Sequence, residues 1–212
     1  MKERPILFSA PMVRAILEGR KTQTRRAVKG VALSWLNDGF TPQFVSDYKN
    51  GLSPYGQVGD RLWVRESCWI WGVWLKNGFT KSGRQKWRFK AVGKQVTFEH
   101  PDKLSIAQRD GLGLTGWVRR PSIHLPRWAS RITLEITGVR VERLQDISEA
   151  DCIEEGIDEK LCAEFTTKAP SRFDLKLAAI HAYAGLWESI NGPESWAENP
   201  WVWVVEFKRV GI

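Results

Sequence analysis

Lys21 and Thr24 stand three residues apart in the run at 19–26, GRKTQTRR. In a turn or a helix that spacing puts both side chains on one side; in an extended strand they would point oppositely. A lysine crowded by Arg20, Arg25 and Arg26 loses its proton more readily than a free one. The neutral amine can then take the proton of a threonine hydroxyl, which becomes a usable nucleophile. Read without catalysis, the same residues form a phosphate-binding loop with hydroxyl and cationic donors. On either reading residues 19–26 are the functional centre, facing RNA or a nucleotide.

Such chemistry needs an acid partner. Glu154 and Glu155 close a short acidic segment, and Glu66 shares a strand face with Leu62 and Val64. Any of the three could pair with the basic loop, orient Lys21 or protonate a leaving amine. On its aliphatic face Glu66 must be paired, protonated or lining a cavity. The 12 tryptophans are many for this length, and several sit beside cations: Trp63 with Arg65, Trp117 with Arg119 and Arg120, Trp128 with Arg127. Bases stacked on aromatic rings between phosphate contacts would use such neighbours, and so would tryptophans packed over the core with arginine laid on them.

The charge is sorted along the chain. Residues 1–30 hold Lys2, Arg4, Arg14, Arg20, Lys21, Arg25, Arg26 and Lys29 against Glu3 and Glu18. Residues 117–131 hold Arg119, Arg120, Arg127 and Arg131 with no acid, whereas 141–164 are strongly acidic. A net charge of +8 so distributed favours a polyanionic partner, because each neutralised phosphate releases counterions. Cys68, Cys152 and Cys162 are far apart, and His100, His124 and His181 neighbour neither one another nor a cysteine. Neither a disulfide framework nor a metal centre is expected, and no cofactor is called for. No run is long and apolar enough to span a bilayer, and the first residues carry too short an apolar stretch for a secretory signal. Cytoplasmic residence is the resulting expectation.

The elements that must hold this loop can be read from periodicity. Pro11 with Met12, Val13, Ile16 and Leu17 gives a short helix that Gly19 stops, so the basic cluster falls on a turn or irregular segment. Residues 31–58 read as loop, and 61–69 as one strand. Residues 70–125 are less regular, Trp-rich with a strand at 86–92, and read as an insertion. Residues 131–143 alternate as a strand with a bulge at Gly138. Residues 147–157 form a short helix opened by Ser148 and Asp151 and ended by Gly156. Residues 171–191 form the strongest helix, and 200–209 a strand bulky on both faces. The interleaving lacks a regular βαβ rhythm, so an α+β fold with a largely antiparallel barrel is expected.

The run at 19–26 resembles the G-x-K-T-x-T-x-R signature of ASCH-domain proteins, relatives of the PUA domains. The closing strand, and the runs GDRLWVRE, PSIHLPRWASRITLEI and WESIN, resemble the longer phage and prophage members across essentially the whole chain. The resemblance implies one PUA-like domain over 1–212: a mostly antiparallel β-barrel flanked by helices, with an insertion at about 70–125. Small members of the group remove the acetyl group from N4-acetylcytidine. Carried over by motif, Lys21 is the base, Thr24 the nucleophile and Glu155 the acidic partner. Arg20, Arg25, Arg26, Arg65, Glu66 and Arg127 are then the candidates for nucleotide or nucleic-acid binding. Other members are RNA binders or single-strand ribonucleases. The expectation is an RNA- or nucleoside-binding hydrolase; the alternatives are a ribonuclease, a non-catalytic RNA-binding module, or a phage structural protein.

Overall fold

The computed structural model describes residues 1–101, 106–158, 160, 162–163 and 178–211. The fold is mixed α+β, with two sheets and a few helices. Two compact units divide the chain: Met1–Arg4, Pro11–Leu62 and Ile132–Ile212 in the first, Pro5–Ala10 and Trp63–Arg131 in the second. No described helix is long and apolar enough to cross a membrane.

The first unit is organised by the last strand. Strand β8 (Trp201–Val210) pairs antiparallel with β7 (Thr133–Arg143) on one side and with β2 (Gln23–Ala27) on the other. Val202, Trp203, Val204, Val205 and Phe207 are all buried, which accounts for the bulk on both faces of this sequence. The sheet order is β1-β3-β7-β8-β2, with β1 (Glu3–Leu7) and β3 (Arg61–Arg65) giving their first residues to this unit. The β7 register shifts between Ile136 and Gly138, so the bulge lies where the glycine indicated. The sheet is open, ending on β1 and β2, and is not closed into a barrel.

Helix α1 (Ala10–Leu17) ends as expected at Gly19, whose φ of +78° suits a helix stop. Residues 31–58 depart from the expected loop: α2 (Val31–Asn37) and α3 (Pro42–Ser46) are both helical. They are too short to show a period, but Thr41 caps α3 by accepting from the Phe44 amide, with Pro42 in the first turn. Phe40 stacks at 5.3 Å on Trp35 and at 5.1 Å on Phe44, tying the two helices. Helix α4 (Glu149–Glu154) carries the expected capping box of Ser148 and Asp151. Helix α5 (Ala178–Asn191) buries Ala178, Ala182, Tyr183 and Trp187, the last three packed with Cys152, Ile157, Val202 and Val204. Residues 171–177 of the expected helix lie outside the described residues.

In the second unit the strand expected over 61–69 breaks after Arg65 and resumes as β4 (Cys68–Phe79). The stretch from 70 onward is far more regular than its composition suggested. β4 forms a long hairpin with β5 (Gln85–Thr97), and β6 (Gly116–Arg120) adds a third strand in the order β5-β4-β6. Tryptophans on both faces of β4 hide the period of two that would have identified it. The core of this unit gathers Cys68, Ile70, Leu125 and Ala129 with Phe89, Val96 and Phe98 packed on them.

Candidate active site

Four backbone hydrogen bonds fix the basic loop. The Arg20 and Lys21 amides both donate to the Ala15 carbonyl, at 2.9 and 3.1 Å, closing the end of α1. The Thr22 amide donates to the Glu154 carbonyl at the end of α4, and the Thr22 carbonyl accepts from Phe207 of β8. The chain then enters β2, so the signature is half turn and half strand rather than one irregular segment. Gly156, with φ +94°, turns the chain after α4 at a point where an added Cβ would lie 3.3 Å from Lys21 Cβ. Only a glycine lets this turn approach the lysine so closely.

The result is a buried network of opposite charges. Lys21 Nζ donates to Glu155 Oε2 at 2.6 Å and to the Glu155 carbonyl at 2.7 Å. Arg25 is withdrawn from solvent, its Nη2 2.6 Å from Glu142 Oε1 and its Nη1 3.5 Å from Glu155 Oε1. Asp151 accepts from Gln23 Nε2 at 2.8 Å and lies 3.4 Å from Arg25 Nη2. Arg140 links Glu142, Asp151 and Glu206 from β7. The acid-rich stretch at 141–164 thus answers the basic loop inside the fold.

Burial disfavours charge on Lys21 and lowers its pKa, a shift that the Glu155 carboxylate partly opposes. Burial would lower Arg25 as well, but Glu155 and Glu142 outweigh it and hold the guanidinium charged. Asp151 resists the upward push of burial because Ser148 and Gln23 hydrogen-bond its carboxylate, leaving it well below the usual range. Lys21 is therefore the cation of the network most readily made neutral.

Beside the network opens a cleft of about 50 Å³ lined by Thr24, Arg26, Glu155, Tyr183 and Trp187. Its walls come from β2, the end of α4 and α5. Larger clefts in the same unit, of about 350 and 300 Å³, lie beside Tyr48 and Gln57. Their one buried carboxylate, Asp60, is already bound by the Lys2 amide at 2.7 Å and Arg4 at 2.8 Å. The smaller cleft is the one that joins a hydroxyl, a carboxylate and a neighbouring deprotonatable amine. Among the described residues no group of three or more His, Cys, Asp or Glu side chains suits a metal ion.

Comparison of the chain with protein-family models, with curated proteins and with solved structures found no match. The site is therefore read from its geometry.

That geometry brings together Lys21, Glu155 and Arg25, and it places Thr24 and Arg26 on the cleft with Glu155. Arg20 lies at the surface, paired with Glu18 at 2.5 Å and with Asp158 at 3.7 Å. The other candidates belong to the second unit. Arg65 lies 4.7 Å over the Trp63 ring, and Glu66 receives two hydrogen bonds from Arg131, at 3.0 and 2.9 Å. Arg127 begins a 3₁₀ turn at Arg127–Ala129. Glu142, Tyr183 and Arg140 carry no signal in the sequence that marks them as members of the site. Glu142 and Arg140 are hidden in an ordinary alternating strand, and Tyr183 in a helix face whose apolar members read as core.

Proposed function

We propose that this chain is an ASCH-type, PUA-like protein that hydrolyses an N-acyl group from a nucleobase, with Lys21, Thr24 and Glu155 as the working set. The observation that carries the reading is the buried Lys21–Glu155 pair, 2.6 Å apart, with Glu155 and Thr24 on the wall of one cleft. About 50 Å³ is room for roughly three or four water-sized groups, enough for an acetyl but not for a nucleoside. The base then lies at the mouth, against Tyr183, Trp187 and Arg26. The kinship carries with it a PUA-like barrel, whose wall would be the five-stranded sheet, and a cytoplasmic RNA or modified nucleoside as partner.

Burial lowers the pKa of Lys21, so its neutral amine is available as a base beside Glu155. As Thr24 Oγ1 comes within reach and attacks the acyl carbon, Lys21 Nζ takes the hydroxyl proton. When the C–N bond breaks, that proton passes from Lys21 Nζ, by way of the Glu155 carboxylate, to the leaving amine nitrogen. Water then attacks the threonyl ester: one of its protons passes through Lys21 Nζ to Thr24 Oγ1 as the ester C–O bond breaks, the other goes to solvent, and acetate leaves with Lys21 neutral again. Arg25, held by Glu142 and Asp151 beside Glu155, positions that carboxyl.

A loop that only grips phosphate fits less well. Lys21 and Arg25, two of its cations, are spent on internal carboxylates. Release of acetate from N4-acetylcytidine by the purified chain, absent in Thr24→Ala, supports the hydrolase. Retention of full turnover by Thr24→Ala, or no turnover at any pH, overturns it.

A further inference from the structure

In the second unit, the register of the three-stranded sheet sorts its residues onto two faces. Antiparallel partners share a face, and neighbours along a strand alternate. Cys68 and Ile70 of β4 face the core with Leu125 and Ala129. Trp69, Trp71, Val73 and Leu75 therefore occupy the opposite face. Their partners there are Arg119 and Trp117 on β6, and Lys90 and Arg88 on β5.

The face is thus a band of half-buried tryptophans bordered by exposed cations. Trp71 and Trp117 meet edge to face at 5.4 Å. Arg88, Lys90 and Arg119 are exposed, and none pairs with a carboxylate among the described residues. The whole stretch from 67 to 98 contains no Asp or Glu, so nothing along the hairpin offsets these charges. At one end a cavity of about 540 Å³ opens between Ser67, Trp69, Phe98, His100 and Arg119, within the size range of small-molecule pockets. His100 packs edge-on to Trp69 at 4.9 Å, adding a second ring to that wall.

We propose that this face binds a single-stranded polynucleotide, with bases on the tryptophans, phosphates on Arg88, Lys90 and Arg119, and one base in the cavity. Ring faces spread over a sheet and edged with cations are what unpaired bases need. A duplex keeps its base faces stacked internally and offers them no partner. A membrane-binding surface would instead carry its apolar groups at a projecting tip, and here the tip, Thr80 to Arg84, is polar. The proposal stands apart from the hydrolase reading, since it uses none of the same residues.

The test is binding of the intact chain to a labelled oligouridylate, followed by anisotropy over a range of salt. The variant Arg88→Gln/Lys90→Gln/Arg119→Gln is expected to bind at least tenfold more weakly and to melt like the parent. Its log–log salt slope should fall by about 2, at about 0.7 for each of the three phosphates no longer neutralised. Lys29→Gln/Lys49→Gln, which removes exposed cations of the first unit, is expected to bind like the parent. Equal binding by the triple variant, an equal loss in the control, or preferential capture of duplex RNA or of phosphatidylglycerol vesicles would overturn the assignment. Acetate release by the triple variant, measured on free N4-acetylcytidine, separates this outcome from failure of the hydrolase.

Discussion

Lys21 Nζ lies 2.6 Å from Glu155 Oε2, and both side chains are withdrawn from water. The pair joins the turn after α1 to the end of α4 across 134 positions of sequence. A buried charge left without its partner is costly, whereas an apolar pair of the same shape often is not.

Lys21→Met and Glu155→Gln are therefore each expected to lower unfolding free energy by about 3–5 kcal/mol. Lys21→Met/Glu155→Leu should recover a large part of the loss, so the two substitutions are strongly non-additive. Urea denaturation of the four proteins measures the coupling. Simple additivity would mean that the pair does not hold the loop.

Gly156 tests how closely the α4 turn must approach the lysine. Gly156→Ala suffers both from φ +94° and from a Cβ 3.0 Å from Ala15 Cβ. Gly192→Ala suffers from φ +103° with open space around it. Each should lose about 1–3 kcal/mol from backbone strain, with Gly156→Ala the worse of the two and alone in disturbing Lys21. Equal melting temperatures for the two variants would contradict the close approach.

Much of this frame is legible in the sequence. The Ser148 and Asp151 box, the Gly138 bulge and the double-faced closing strand each follow a local rule, and each stands where that rule puts it. The basic loop is legible as a cluster of charge but not as geometry. Its spacing suggests a turn, whereas pairing with β8 draws residues 23–27 into a strand. What escapes is tertiary. Glu142 and Arg140 become members of the site only because β7 is two strands from β2 in the sheet, and no local pattern encodes that. The hairpin at 68–97 escapes because tryptophans on both faces erase alternation.

The three thiols should differ sharply in reactivity. Burial pushes Cys68 up to about 11 and Cys152 up to about 12, while Cys162 is only half-buried. Since the thiolate is the reactive form, iodoacetamide at pH 8 should label Cys162 first and the other two only after unfolding. Peptide mapping reads the order, and rapid labelling of Cys152 would show that the α4–α5 contact opens readily.

The pH profile carries the signature of Lys21. In the proposed hydrolysis the active form is the neutral amine, so acetate release should fall as acid protonates it and rise with pH to a plateau. Because burial lowers Lys21, the midpoint of that limb should lie below its ordinary 10.5. Lys21→Arg, which cannot be deprotonated, should remove the limb along with the activity. A flat profile, or one unchanged in Lys21→Arg, would assign the base elsewhere.

The most direct measurement is the mass of the protein itself during turnover. N4-acetylcytidine mixed with the intact chain and quenched rapidly in acid should leave an acetyl group on the peptide containing Thr24. None should appear with Thr24→Ala, and less with Lys21→Met. Acetate release with no acylated threonine, or acetylation at any other residue, would contradict the account.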